Sequence, residues 1–121
     1  MAPTYETAYD AEADLGTIKI LHELSPGADR SDTEAPAVQQ DIQFQHGTIP
    51  ENGPNGVTNE AVLDLLALRI RALNQKFPCR ENSIAITKIE EARMWLNERT
   101  RVREDQGVEG KHAPHKEPIG N

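Results

Sequence analysis

Apolar positions in this chain of 121 residues repeat with a helical period through much of its second half. From Glu81 to Val102 (ENSIAITKIEEARMWLNERTRV), Ala85, Ile89, Ala92 and Leu96 recur at i, i+4, i+7 and i+11, one face of an α-helix. Ile84, Ile86, Met94 and Trp95 lie off that stripe and give the helix a second apolar side. Upstream, the apolar residues between Ala61 and Leu73 leave almost no polar face, the pattern of a helix covered on most sides. Thr58 suits its N-cap, and Glu60 and Asp64 suit the helix dipole. Lys76-Phe-Pro-Cys79 ends it, because Pro78 disfavours helical geometry at Phe77. A second helix starts around Arg80. So short a connection between long helices predicts an antiparallel hairpin. The second helix, about 36 Å long against about 27 Å, overshoots the first. Its overhang carries Arg99, Arg101 and Arg103.

The first half has no such period. Residues 1–16 are polar and acidic, Gly16–His22 alternates weakly as a short strand or binding segment, and Ser25–Gln40 reads as a linker rich in Pro, Gly, Ser and Asp. Asp41–His46 is a short extended piece with Ile42 and Phe44 on one side, and Gly47–Val57 is a Gly/Pro loop. The predicted organisation is a flexible acidic arm (1–41), an extended segment and loop (42–57), a helical hairpin (58–104) and a mobile tail (105–121). The expected fold class is mainly α: a two-helix antiparallel hairpin with an extended N-terminal arm. Two helices close no core, so the second apolar sides predict assembly of copies into a homo-oligomeric bundle.

Composition sharpens this. Hydrophobic residues are 36% and aromatic residues 4% of the chain, and mean hydropathy is −0.66, poor material for a compact monomer. The net charge of −7 resides entirely in residues 1–41, which hold nine acids against Lys19 and Arg30; the remainder balances. No basic footprint for duplex nucleic acid is present. The lone Cys79 points to a reducing compartment, and no apolar run of membrane-spanning length or secretory layout occurs.

No nucleophile elbow, zincin motif or Walker loop is present, so no catalytic residue, metal ligand or cofactor is predicted. No second ligand stands at helical spacing from His22 or His46, and His112 and His115, in HAPH, read as part of a mobile tail rather than as a metal pair. Adjacent Glu90 and Glu91 point to different sides of a helix and form no acid pair. Two helix starts are open to two readings. The Gly-Pro-Asn-Gly loop with Thr58 and Asn59 is either an ordinary capped turn or a phosphate cradle. Arg80-Glu81-Asn82-Ser83 repeats the choice with a cation attached. Lys88, Arg99 and Arg101 are either a solvated face paired with acids or cations for a phosphorylated ligand where copies meet.

Taken together, Phe44-Gln-His-Gly47, Asn55-Gly-Val-Thr-Asn-Glu60, Cys79-Arg-Glu-Asn82, Ala85-Ile-Thr-Lys-Ile-Glu-Glu-Ala92, Met94-Trp-Leu96 and Arg99-Thr100 resemble the phage anti-CBASS and anti-Thoeris helical-hairpin family. The resemblance covers about residues 42–112. It implies a hexamer of hairpins in the host cytoplasm that binds cyclic di- or trinucleotides, or cyclic ADP-ribose isomers, without cleaving them. The free signal then falls below what the host effector needs. It adds Phe44, Gln45 and His46 to the candidate ligand contacts. Shorter members carry an aromatic residue where this chain has Gln45, and a cation early in the first helix where it has Glu60; Arg99 and Arg101 then become the stronger candidates. A competing reading, motivated by the charge of residues 1–41, is a protein-interaction or adaptor module that docks a partner through the acidic arm.

Overall fold

The computed structural model describes residues 4–22 and 35–105. They form three strands, β1 (Tyr5–Asp10), β2 (Leu15–Ile20) and β3 (Val38–Gln43), followed by a short helix α1 (Ile49–Asn52) and two long ones, α2 (Asn59–Lys76) and α3 (Arg80–Asp105). The strands pair in the order β1-β2-β3, antiparallel throughout. This corrects the expected fold class. The protein is mixed α/β, and three stretches of the expected extended arm build a sheet. Residues 23–34 and 106–121, which hold much of the predicted linker and tail, with His112 and His115, lie outside the described residues.

Local chemistry explains the β1–β2 turn. Asp10 accepts hydrogen bonds from the Glu12 and Ala13 amides at 3.0 and 3.3 Å, folding the chain back on itself. Asp14 closes the turn at φ +51°, a left-handed conformation that aspartate tolerates better than most residues. The register then aligns Tyr5 with Ile20, Thr7 with Ile18 and Tyr9 with Gly16, and continues through β2 to Val38, Gln40 and Ile42. Because side chains alternate along a strand, these nine residues share one largely apolar face. The other face carries Glu6, Lys19, Asp41 and Gln43, with Thr17 Oγ1 donating to Asp41 at 3.3 Å.

Among the described residues one backbone bridge fastens the sheet to the helical half. Phe44 forms a parallel bridge with Val57 just after β3: Gln45 N–H donates to the Val57 carbonyl at 2.8 Å, and Val57 N–H to the Gln43 carbonyl at 2.9 Å. Gly56 is required by this approach, since a Cβ there would lie 2.5 Å from the Phe44 carbonyl carbon. The bridge closes a loop containing α1. Asn55 ties the loop internally, accepting from His46 N–H and donating to its carbonyl, both at 2.8 Å.

Thr58 caps α2, its Oγ1 accepting from Ala61 N–H at 3.1 Å. The Cys79 amide donates to Asn74 Oδ1 at 3.0 Å across the turn into α3. Two ion pairs cross between the helices, Arg71–Glu90 at 2.6 Å and Arg93–Asp64 at 3.1 Å. The inward face of α3 is Ala85, Ile86, Ile89 and Leu96, whereas Ala92 of the predicted stripe is exposed. Among the described residues only Ala67 and Ile86 count as buried hydrophobic residues, at 5% and 9% exposure. Leu65, Leu68, Phe77, Met94 and Trp95 are each more than half exposed in the single chain.

Gly56→Ala is expected to lower stability by about 1–3 kcal/mol, because the added methyl must push the Phe44 backbone away. Urea unfolding at matched protein concentration checks this, and an unchanged midpoint contradicts it.

Candidate functional site

The overhang of α3 returns toward the sheet. Arg103, in its last turn, is only 6% exposed, the most buried charge among the described residues. With Arg99 and Thr100 it lines an open cleft of about 1020 Å³. That volume is on the scale of small-molecule sites. Across from α3 stand Tyr9 and Asp14 of the β1–β2 hairpin and Phe44 from the end of β3. Thr48 and Pro50 from the α1 loop, and Thr58 and Asn59 at the start of α2, complete the wall. The cleft is thus assembled from β1 and the turn after it, the segment after β3, and all three helices. Its charge is mixed: Arg99 and Arg103 are cationic, while Asp14, Glu60 and Glu104 are acidic. Two aromatic rings, Tyr9 and Phe44, lie edge to face with centroids 6.3 Å apart.

Of the residues proposed from sequence, Phe44, Gln45, Thr58, Asn59 and Arg99 are brought together at this cleft. Gln45 is also a structural tie: its amide donates to the Gly53 carbonyl at 2.9 Å and accepts from Asn55 N–H at 3.1 Å. His46 is not among the lining residues; its Nδ1 lies 2.8 Å from Asp14 Oδ2. Arg80 and Asn82 stand in the first turn of α3, one helix length, about 27 Å, from Thr58. Lys88 is exposed and 3.7 Å from Glu91. Arg101 turns to its own helix, at 2.6 Å from Glu98 and 2.8 Å from Asp105. Its hydrogen bonds with Glu98 hold that carboxyl below the usual range and the guanidinium more firmly protonated.

Sequence reasoning did not anticipate Tyr9 and Asp14. Both sit in a stretch with no motif, and only strand pairing carries them to the cleft. Asp14 accepts from the Tyr9 hydroxyl and faces His46, and these two contacts, the Tyr9 bond foremost, hold its carboxyl below the usual carboxylate range. The same bond, with the neighbouring negative charge, pushes the Tyr9 phenol above its ordinary value of 10.0. No group of three or more His, Cys, Asp or Glu side chains able to hold a metal occurs among the described residues. No described helix is long and apolar enough to cross a membrane.

Fold and cleft together define a helical-hairpin protein fronted by a small antiparallel sheet, with an aromatic and mixed-charge concavity where the two meet. A family model described as Acb2/Tad1, hairpin domain, matches residues 36–101, more than half of the chain. The chain belongs to this family. A curated relative, Thoeris anti-defense 1 from Bacillus phage SBSphiJ7, is 51% identical over 72 residues, which cover 59% of this chain and 51% of the relative. The chain therefore spans about half the length of that relative.

The paired shifts have consequences on both sides of neutrality. A lowered Asp14 pKa adds stability above the ordinary carboxylate range that is lost as pH falls through the lowered value. A raised Tyr9 pKa adds stability below 10.0 that is lost as pH rises through the raised value. In a Tyr5→Phe background, where Tyr9 is the remaining tyrosine, alkaline titration of near-ultraviolet absorbance is expected to place its ionisation above 10.0. Adding Asp14→Asn should move it down. An ionisation that does not respond to Asp14 contradicts the hydrogen bond.

Proposed function

We propose that this protein is a phage anti-defence factor that sequesters cyclic nucleotide signals in the host cytoplasm without cleaving them. The observation that carries this reading is the cleft, in which arginines from the α3 overhang face aromatic rings from the sheet side. Arg99 is suited to a phosphate, with the N-terminal turn of α2 at Thr58 and Asn59 adding backbone donors. Phe44 offers a ring face for a base. Membership of the Acb2/Tad1 hairpin family and the anti-defence name of the phage relative support the same reading. Ligand classes that fit are cyclic dinucleotides, cyclic trinucleotides and cyclic ADP-ribose isomers. Sequestration needs affinity and copy number and asks for no nucleophile, consistent with the absence of a recognised catalytic motif in the sequence.

Assembly belongs to the same proposal. Ala61, Leu65, Leu68 and Ala72 form an exposed stripe at i, i+4, i+7 and i+11 on α2, and Met94 and Trp95 are exposed on α3. So much apolar surface on one small chain favours contact between copies, with a hexamer the arrangement expected for a sponge of hairpins. Light scattering should return a mass several times that of one chain, and Leu68→Glu should lower it. A monomer at micromolar concentration removes the assembly.

The binding itself is checked by thermal shift against a panel of cyclic nucleotides, followed by heat denaturation and chromatography of the released ligand. Intact ligand is expected. Linear products mean an enzyme, and no shift with any member removes the sponge reading. Arg99→Glu should weaken capture by at least about tenfold, the scale of one lost charge-assisted phosphate contact. Arg101→Glu is the informative comparison. A larger loss there places the ligand outside the cleft.

A further inference from the structure

β1 and β2 lie outside the residues that match the hairpin-domain model, yet they place two side chains in the cleft wall. Both are held with unusual definition. Asp14 Oδ1 accepts from the Tyr9 hydroxyl, and Asp14 Oδ2 lies 2.8 Å from His46 Nδ1. An ionised carboxylate only accepts, so His46 carries a proton on Nδ1 and donates it to Asp14. The carboxylate side chain is itself only 23% exposed. Strand β1, the turn and the segment after β3 are therefore joined by one chain of polar contacts, His46 to Asp14 to Tyr9.

The consequence is a fixed ring. With its hydroxyl anchored, Tyr9 stands at 79° to the Phe44 ring. Phe44 is fixed by a different device. Its ring rests on Gly16, the register partner of Tyr9, where a Cβ would lie 3.1 Å from Phe44 Cε2. The cleft thus contains a corner of two nearly perpendicular aromatic rings, each with its own contact to the sheet. A single aromatic face accepts any planar ring in many rotations. A right-angled corner admits one that stacks on one wall while turning its edge to the other.

We propose that Tyr9 is a specificity-determining contact for the nucleobase of the bound ligand, and that Asp14 is the positioning residue that holds its ring in place. The sheet would then select among bases, while the hairpin supplies the contacts to phosphate. This inference rests on the sequestration reading above.

The full-length chain is titrated calorimetrically with cyclic di-AMP, cyclic di-UMP, cyclic tri-AMP and cyclic ADP-ribose. For each compound the wild type binds, Tyr9→Ala is expected to raise Kd roughly tenfold to a hundredfold, the scale of one lost base–aromatic contact. The loss should be greater for cyclic di-AMP than for cyclic di-UMP, narrowing the ratio between them, because a purine offers the larger ring. Tyr9→Phe, which keeps the ring and loses its anchor, should weaken binding by less. Asp14→Gly removes the carboxylate and suits the left-handed backbone. It should match Tyr9→Phe and have no further effect in a Tyr9→Ala background. Helicity, followed in parallel, should stay near wild type in the Tyr9 variants, since Tyr9 is exposed. Unchanged affinity and base ranking in Tyr9→Ala overturn the inference and leave the sponge reading standing. A full, independent loss from Asp14→Gly in the Tyr9→Ala background overturns the positioning role. Wild-type binding of none of the four compounds overturns both.

Discussion

Two backbone hydrogen bonds, from Gln45 N–H to the Val57 carbonyl and from Val57 N–H to the Gln43 carbonyl, join a sheet to a helical hairpin. These bonds form only because Gly56 lets the strands approach without a Cβ between them. The bridge sets where β3 ends relative to where α2 begins. It places Phe44 beside Thr58 and Asn59 and leaves the α1 loop folded against the same wall. The α3 overhang is long enough to complete that wall from the other side. Without the bridge, Tyr9, Asp14 and Phe44 would have no fixed relation to Arg99 and Arg103, and there would be no cleft. Polar ties reinforce it: Gln45 and Asn55 commit their amides to the loop. Gln45 therefore both lines the cleft and ties its loop.

The hydrophobic contribution within one chain is small. Ala67 and Ile86 mark the buried centre of the hairpin, and two interhelical ion pairs with partly exposed side chains flank it. Exposed ion pairs of this kind contribute little. The large apolar side chains point mostly outward, including Trp95, which a compact monomer would have taken inside. Burial of those faces between copies would supply what the single chain lacks, and this is the physical reason that assembly and ligand capture are proposed together.

Charge has a different distribution in space from its distribution along the chain. The acidic first third looks like a repulsive arm in sequence, but Asp10 folds a turn, Asp14 anchors a ring and a histidine, and Asp41 accepts from Thr17 across the sheet. These acids are structural groups with named partners. Asp14 also brings negative charge to a cleft that Arg99, Arg103 and Glu104 line from the other side.

Periodicity alone determined the hairpin. A 3.6-residue repeat, a threonine cap and a proline stop act over a few neighbouring residues, so Thr58, Pro78 and the helical runs could be read directly. Phe44, Thr58, Asn59 and Arg99 were also legible, the last three from helix-end and charge reasoning and Phe44 from a family resemblance. The sheet was legible only in part. The weak alternation of Gly16–His22 marked a possible strand, which is β2, but β1 has acids or hydroxyls at five of its six residues and β3 is VQQDIQ, so neither stood out and no pairing could be read. The strands exist because backbone groups pair between them, β1 with β2 across a short turn and β2 with the more distant β3. Only the tertiary structure could bring Tyr9 and Asp14 to the cleft and bury Arg103, whereas the pairing of Arg101 with Glu98 is local to one helix. Local sequence chose the helices. The pairing of remote backbones decided what faces them.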